Sequence, residues 1–160
     1  MLKFEAEGRV QDEWLDFNGH MNVGFYGVAA DKISDHYFDY LEIGEAYRAR
    51  TNNSFFTVES HFTYQAELLK DEAYTAHCGL LDFDAKRLHF YTAMYKLDGT
   101  LAATAEWMHL HMDMNERVVA AMPEDSLAFL TTVQAFEGKT PVHADIRRVI
   151  GNTIGIKRKT

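Results

Sequence analysis

The sequence predicts an α+β domain in which a five-stranded antiparallel sheet wraps around one long helix. Three observations carry this. Apolar residues recur at three- and four-residue spacing from Val23 to Tyr40, the period changes to two after Asn52-Asn53, and Asp98-Gly99 marks a tight hairpin between two strand-like runs.

Residues 4–14 alternate weakly and read as a first strand, followed by a polar loop over residues 15–22. In the next segment Phe25, Val28, Ala29, Ile33, His36, Tyr37 and Tyr40 share one side of a helix of about five turns. Asp31, Ser34, Asp35 and Asp39 fall mostly on the other side, and Gly44 is a reasonable stop. Past Asn53, alternation assigns Phe56, Val58, Phe62, Tyr64 and Ala66 to one strand face, and Thr57, Glu59, His61, Thr63 and Gln65 to the other. Three further strands are expected over residues 73–83, 86–97 and 101–113, with Asp84-Ala85 as the first turn between them. Met122-Pro123-Glu124-Asp125 opens a short C-terminal helix over Leu127, Phe129, Leu130 and Val133. A sheet curled round one helix leaves an edge strand, which twofold pairing of two copies satisfies. A homodimer is expected, with a tetramer left open.

A chain of 160 residues, 47% hydrophobic and 25% charged, suits one domain with a real core. The formal charge of −8 argues against nucleic-acid binding. Cys78 is the only cysteine, so no disulfide framework is expected. Neither a secretory leader nor a membrane-spanning run is apparent, which predicts a cytoplasmic protein with no membrane partner. The domain is expected to occupy residues 1–137. Residues 138–160 carry Lys139, Arg147, Arg148, Lys157, Arg158 and Lys159 against Asp145 and read as a solvated basic tail, with a phosphate contact as the sharper reading.

Chemistry concentrates in Trp14-Leu15-Asp16-Phe17-Asn18-Gly19-His20-Met21-Asn22, directly ahead of the long helix. A helix N-terminus offers free N–H groups and the positive end of a dipole, so it suits a developing oxyanion. Asp16 supplies a base or nucleophile beside it; helix capping is its competing role. His109 and His111 share a strand face but lack a third ligand at sensible spacing, so no metal is expected. Cys78 reads as a buried residue, and Lys86-Arg87 as a solvated turn or a phosphate contact.

The loop, with Tyr26 in the following helix, resembles the signature of hotdog-fold acyl-CoA thioesterases, the 4-hydroxybenzoyl-CoA thioesterase-like superfamily. Within it, the chain resembles the betainyl-CoA thioesterases of carnitine breakdown. That similarity runs through Phe55-Phe56-Thr57-Val58-Glu59-Ser60-His61, Asp84-Ala85-Lys86-Arg87-Leu88-His89 and Ala103-Thr104-Ala105-Glu106, over roughly residues 8–130. The resemblance implies hydrolysis of a small acyl-CoA without a cofactor. Asp16 would act as nucleophile or general base, and Asn18, His20 and Asn22 would orient it, water or the substrate carbonyl. Gly19 of the loop would help bind the substrate, and N–H groups near residues 23–25 would receive the oxyanion. Trp14, Tyr26 and Phe55 are candidates for an aromatic box around a trimethylammonium head, and Glu59 for a contact across a dimer interface. Two alternatives stand beside this: another short-chain or aromatic acyl-CoA, and a non-catalytic dimeric acyl-binding module.

Overall fold

The computed structural model describes residues 3–140 and 146–158. In chain order the elements are β1 (Glu5–Arg9), α1 (Val23–Tyr40), α2 (Glu45–Thr51), β2 (Asn53–Tyr64), β3 (Ala73–Phe83), β4 (Arg87–Lys96), β5 (Leu101–Asp113), β6 (Val118–Val119) and α3 (Glu124–Glu137). The sheet runs β1-β3-β4-β5-β2, antiparallel throughout, with the two-residue β6 pairing only the end of β5. Among the described residues one edge of β2 is therefore free. No helix among the described residues is long and apolar enough to cross a membrane.

α1 starts where expected because Asn22 caps it, its Oδ1 accepting the Gly24 N–H at 3.0 Å. The helix buries Tyr26, Ala29, Ala30, Ile33, Ser34 and Tyr37 against the sheet. Its inward face thus differs from the one expected: Val28 and His36 are exposed and Ser34 is buried. Ser34 tolerates burial because its hydroxyl donates to the Ala30 carbonyl at 2.8 Å and lies 3.3 Å from the Thr92 hydroxyl. The first strand is shorter than expected, because residues 12–14 form a single 3-10 turn. α2 escapes sequence periodicity since seven residues make only two turns. Asn52, in the left-handed region at φ 54°, ends it.

The expected faces of β2 need correction. A bulge between Thr57 and Glu59 shifts the register, so alternation does not run through the strand. Phe55 packs against Phe38 and the Thr57 hydroxyl meets His109 on the helix side. Past the bulge, Phe62 meets Trp107 and Tyr64 meets Tyr26 on that same side. Val58 is 54% exposed.

β4 and β5 are buried over almost their whole length, a sign that the sheet is covered on both faces. α1 covers one face. The other is covered by the segment expected to be a solvated tail: Ile150 packs with Ile146 against Leu81, Tyr91 and Ala93, and Ile154 is also buried. These isoleucines recur every four residues, but Arg, Gly and Asn between them dilute the signal.

Candidate active site

The loop before α1 is a tight turn built around Asp16. Asp16 Oδ1 accepts the Asn18 N–H at 2.8 Å, and the Gly19 N–H donates to the Asp16 carbonyl at 3.0 Å. The Asp16 N–H donates to the His20 carbonyl, and Leu15 bridges Met21 across the turn. Asp and Asn suit such a turn because their short side chains bond backbone N–H groups two residues on. Gly19 sits at φ +82°, where a side chain is strained even though nothing lies within 4 Å of its Cβ position. Gly19→Ala is expected to cost about 1 kcal/mol, read as a lower urea midpoint.

This turn holds Asp16 largely shielded, with its Oδ2 3.2 Å from His20 Nε2. His20 Nδ1 lies 3.5 Å from Glu67 Oε2, so the imidazole stands between two carboxylates. His20 also lines a cavity of about 290 Å³ with Met21, Val23, Tyr26, Tyr64, Gln65, Ala66 and Glu67. Asp16 is not part of that lining and reaches the cavity through the His20 ring. The walls from residues 64–67 are not apparent from the sequence. They arrive through tertiary contacts: the Met21 N–H donates to the Leu68 carbonyl, His20 bridges Leu69, and the Leu68 N–H donates to the Tyr26 hydroxyl.

Oxyanion capacity is narrower than three free N–H groups. Gly24 donates to the Asn22 side chain and Phe25 to the Asn22 carbonyl at 2.9 Å. Of the three, only the Val23 N–H lacks an acceptor among the described residues, and Val23 lines the cavity. Asn22 is therefore the cap that leaves one donor open, and Asn18 is a member of the turn.

The aromatic candidates do not form a box within one chain. Trp14 stacks on Phe25 at 5.9 Å, and Lys32 Nζ already lies 6.0 Å from its ring centre. Tyr26 packs against Tyr64 at 5.2 Å in the cavity wall. Phe55 lies at the other end of β2, about 30 Å along the strand from Tyr64. There it lines a separate cleft of about 410 Å³ with Asp35, Phe38, Asp39 and Arg48. Glu59 pairs with Met108, on the face where His61 reaches Glu106, away from α1.

The remaining histidines and the cysteine have other engagements. His109 stacks on Phe90, and burial lowers its pKa to about 4. His111 lies between the Tyr47 hydroxyl at 2.8 Å and the Ala120 carbonyl at 2.9 Å. Among the described residues no three His, Cys, Asp or Glu side chains converge as metal ligands would. Burial pushes the Cys78 thiol up, which suppresses the nucleophilic thiolate.

A curled antiparallel sheet around one long helix is the architecture of the hotdog-fold thioesterases. The chain belongs to the thioesterase-like superfamily, which its residues 10–130 match. It is 34% identical over 139 residues to L-carnitine dehydrogenase/betainyl-CoA thioesterase of Agrobacterium fabrum, covering 86% of this chain and 28% of that protein. Against a like-named Rhizobium sp. protein, too, the chain spans only 29% of the relative's length. Betainyl-CoA thioesterase of Pseudomonas aeruginosa is 29% identical over 146 residues, covering 91% of this chain and 92% of that one. A hypothetical protein of Staphylococcus aureus, solved in complex with CoA, superposes with a TM-score of 0.82 at 27% identity, covering 98% of each chain.

Proposed function

We propose that the chain hydrolyses the thioester of a small acyl-CoA, betainyl-CoA, to free acid and CoA. The observation that carries this reading is the Asp16–His20 pair, whose imidazole lines the same cavity as Val23 at the start of α1. Water adds to the thioester carbonyl as Asp16, directly or through His20, takes its proton. The Val23 N–H stabilises the oxyanion, the C–S bond breaks, and the CoA thiolate leaves and is protonated. Because His20 lines the cavity and Asp16 does not, the geometry favours water activation by the pair over direct attack by the carboxylate. The names of the relatives support betainyl-CoA as the substrate.

In this reading the working unit is a homodimer paired along the free edge of β2. The exposed apolar residues Phe17, Val23, Val28 and Val58 on the loop, helix and edge strand support it. Antiparallel pairing about a twofold axis would bring Phe55 of the partner subunit toward the Tyr64 end of β2, where the Asp16 loop stands.

The test is thiol release from betainyl-CoA, its neutral isostere 3,3-dimethylbutanoyl-CoA, and benzoyl-CoA. Expected is a kcat/KM for betainyl-CoA about tenfold or more above the isostere, the worth of one good cation–π contact. Equal turnover of the three would move the substrate to acyl-CoAs at large. No release from any of them would leave an acyl-binding module.

A further inference from the structure

We propose that Glu67 is the residue that selects a cationic acyl group at this site. The inference rests on the thioesterase reading above and names the side chain behind a preference for betainyl-CoA over its neutral isostere. The short acyl chain limits where such selection can occur. In a betainyl thioester the ammonium nitrogen is two bonds from the carbonyl carbon, about 2.5 Å away. A carbonyl held between His20 and Val23 therefore puts the three methyl groups against the walls of the same cavity. Of the residues lining that cavity, only Glu67 carries a carboxylate. Its Oε2 lies 3.5 Å from His20 Nδ1, on the far side of the imidazole from Asp16, so a fixed negative charge stands one ring's width from the reacting centre.

The chain holds Glu67 in place from both sides. The Gln65 and Ala66 N–H groups both donate to the Ala102 carbonyl, at 2.8 and 3.1 Å, which pins the turn that leaves β2. Leu68 is fully buried, and its N–H donates to the Tyr26 hydroxyl at 3.0 Å. With Leu68 turned into the core, the side chain before it is left at the cavity, 61% exposed. Nearby lysines are already engaged: Lys70 Nζ lies 2.8 Å from Asp12, and Lys96 Nζ lies 3.0 Å from Glu72.

A trimethylammonium group has no N–H to donate, so it is recognised by negative charge and by ring faces. The cavity offers both. Tyr26 and Tyr64 stand 5.2 Å apart at 72°, making an aromatic corner beside Glu67. Water screens an exposed carboxylate, but an acyl group that fills the cavity displaces that water and strengthens the attraction. The competing role for Glu67 is to orient His20, and the two roles differ in what they do to substrate preference.

The experiment measures kcat/KM for betainyl-CoA, 3,3-dimethylbutanoyl-CoA and malonyl-CoA, the last with a carboxylate where betainyl-CoA has its ammonium. It uses the full chain and its variants Glu67→Gln, Glu67→Asp and Glu67→Lys. The quantity read is the ratio to the neutral isostere within each protein, so an effect on the reaction through His20 cancels. Glu67→Gln is expected to lower the betainyl ratio about fivefold, the worth of a partly exposed ion pair. Glu67→Asp keeps the charge and should hold most of the preference. Glu67→Lys should lower the betainyl ratio further and raise the malonyl ratio above that of the unsubstituted chain. Losses of equal size on all three substrates, with every ratio unchanged, would make Glu67 a positioning residue for His20 and overturn the proposal while betainyl-CoA stood as the substrate. An unsubstituted chain without a preference for betainyl-CoA overturns both.

Discussion

Asp16→Asn is expected to lower kcat for thioester hydrolysis by about 10³-fold, or ~4 kcal/mol of transition-state stabilisation. Asparagine keeps an acceptor for the Asn18 N–H, so the turn that positions the loop survives while the charge is lost. The urea midpoint should therefore move little, which separates loss of chemistry from loss of fold. Asp16→Ala, by contrast, removes that acceptor as well and should lower both activity and stability. His20→Gln tells the two proton routes apart. If water is activated through the imidazole, its loss in kcat should approach that of Asp16→Asn, and combining the two substitutions should cost little more than either alone. If the carboxylate acts directly, His20→Gln should cost far less. Hydrolysis unchanged in Asp16→Asn would remove the carboxylate from the reaction altogether.

Glu137→Gln is expected to make the protein more stable than its parent at alkaline pH, by about 3 kcal/mol at pH 9, and close to equal at pH 5. Glu137 is 3% exposed at the end of α3. Its Oε2 accepts the Tyr37 hydroxyl at 2.9 Å and the Leu80 N–H at 2.7 Å, while Oε1 is buried with no partner among the described residues. Burial pushes its carboxyl up from 4.5 to about 7, against the pull of those two donors. A carboxyl whose folded pKa is raised stabilises the fold fully below its unfolded value of 4.5. That contribution is lost as pH climbs through about 7, because the buried group must then ionise. Glutamine keeps an acceptor and the volume but carries no charge. Urea unfolding of both chains at pH 5 and pH 9 is the check. A difference between them that stayed constant with pH would show that Glu137 titrates alike in the folded and unfolded chain.

The parts of the fold that could be read ahead of the structure are those whose periodicity is long and uninterrupted. α1 and the β3–β4–β5 meander declare themselves because each repeats its pattern over ten residues or more. The faces of β2 were misassigned because a single extra residue near Val58 inverts the alternation, and nothing in Thr57-Val58-Glu59 announces a bulge. At the site, Asp16, Asn18, Gly19, His20 and Asn22 stood out because turn chemistry and acid–base chemistry draw on the same residue types. What they do locally was less legible. Only the hydrogen bonds show that Asn22 closes off two of three N–H groups and leaves Val23 open. Gln65 and Glu67 carry no local mark of belonging to a cavity whose other wall is some forty residues earlier in the chain.

The cover of the outer sheet face also has a consequence in time. Arg158 meets Asp82 across 76 residues of sequence, and Ile146 and Ile150 follow every strand they cover. During synthesis the strands leave the ribosome first and can pair with one another before their lid exists. For that interval Leu81, Tyr91 and Ala93 face water on an otherwise finished sheet, the kind of surface that captures chaperones and neighbouring nascent chains. Docking of the isoleucine segment then follows the pairing of the strands it covers.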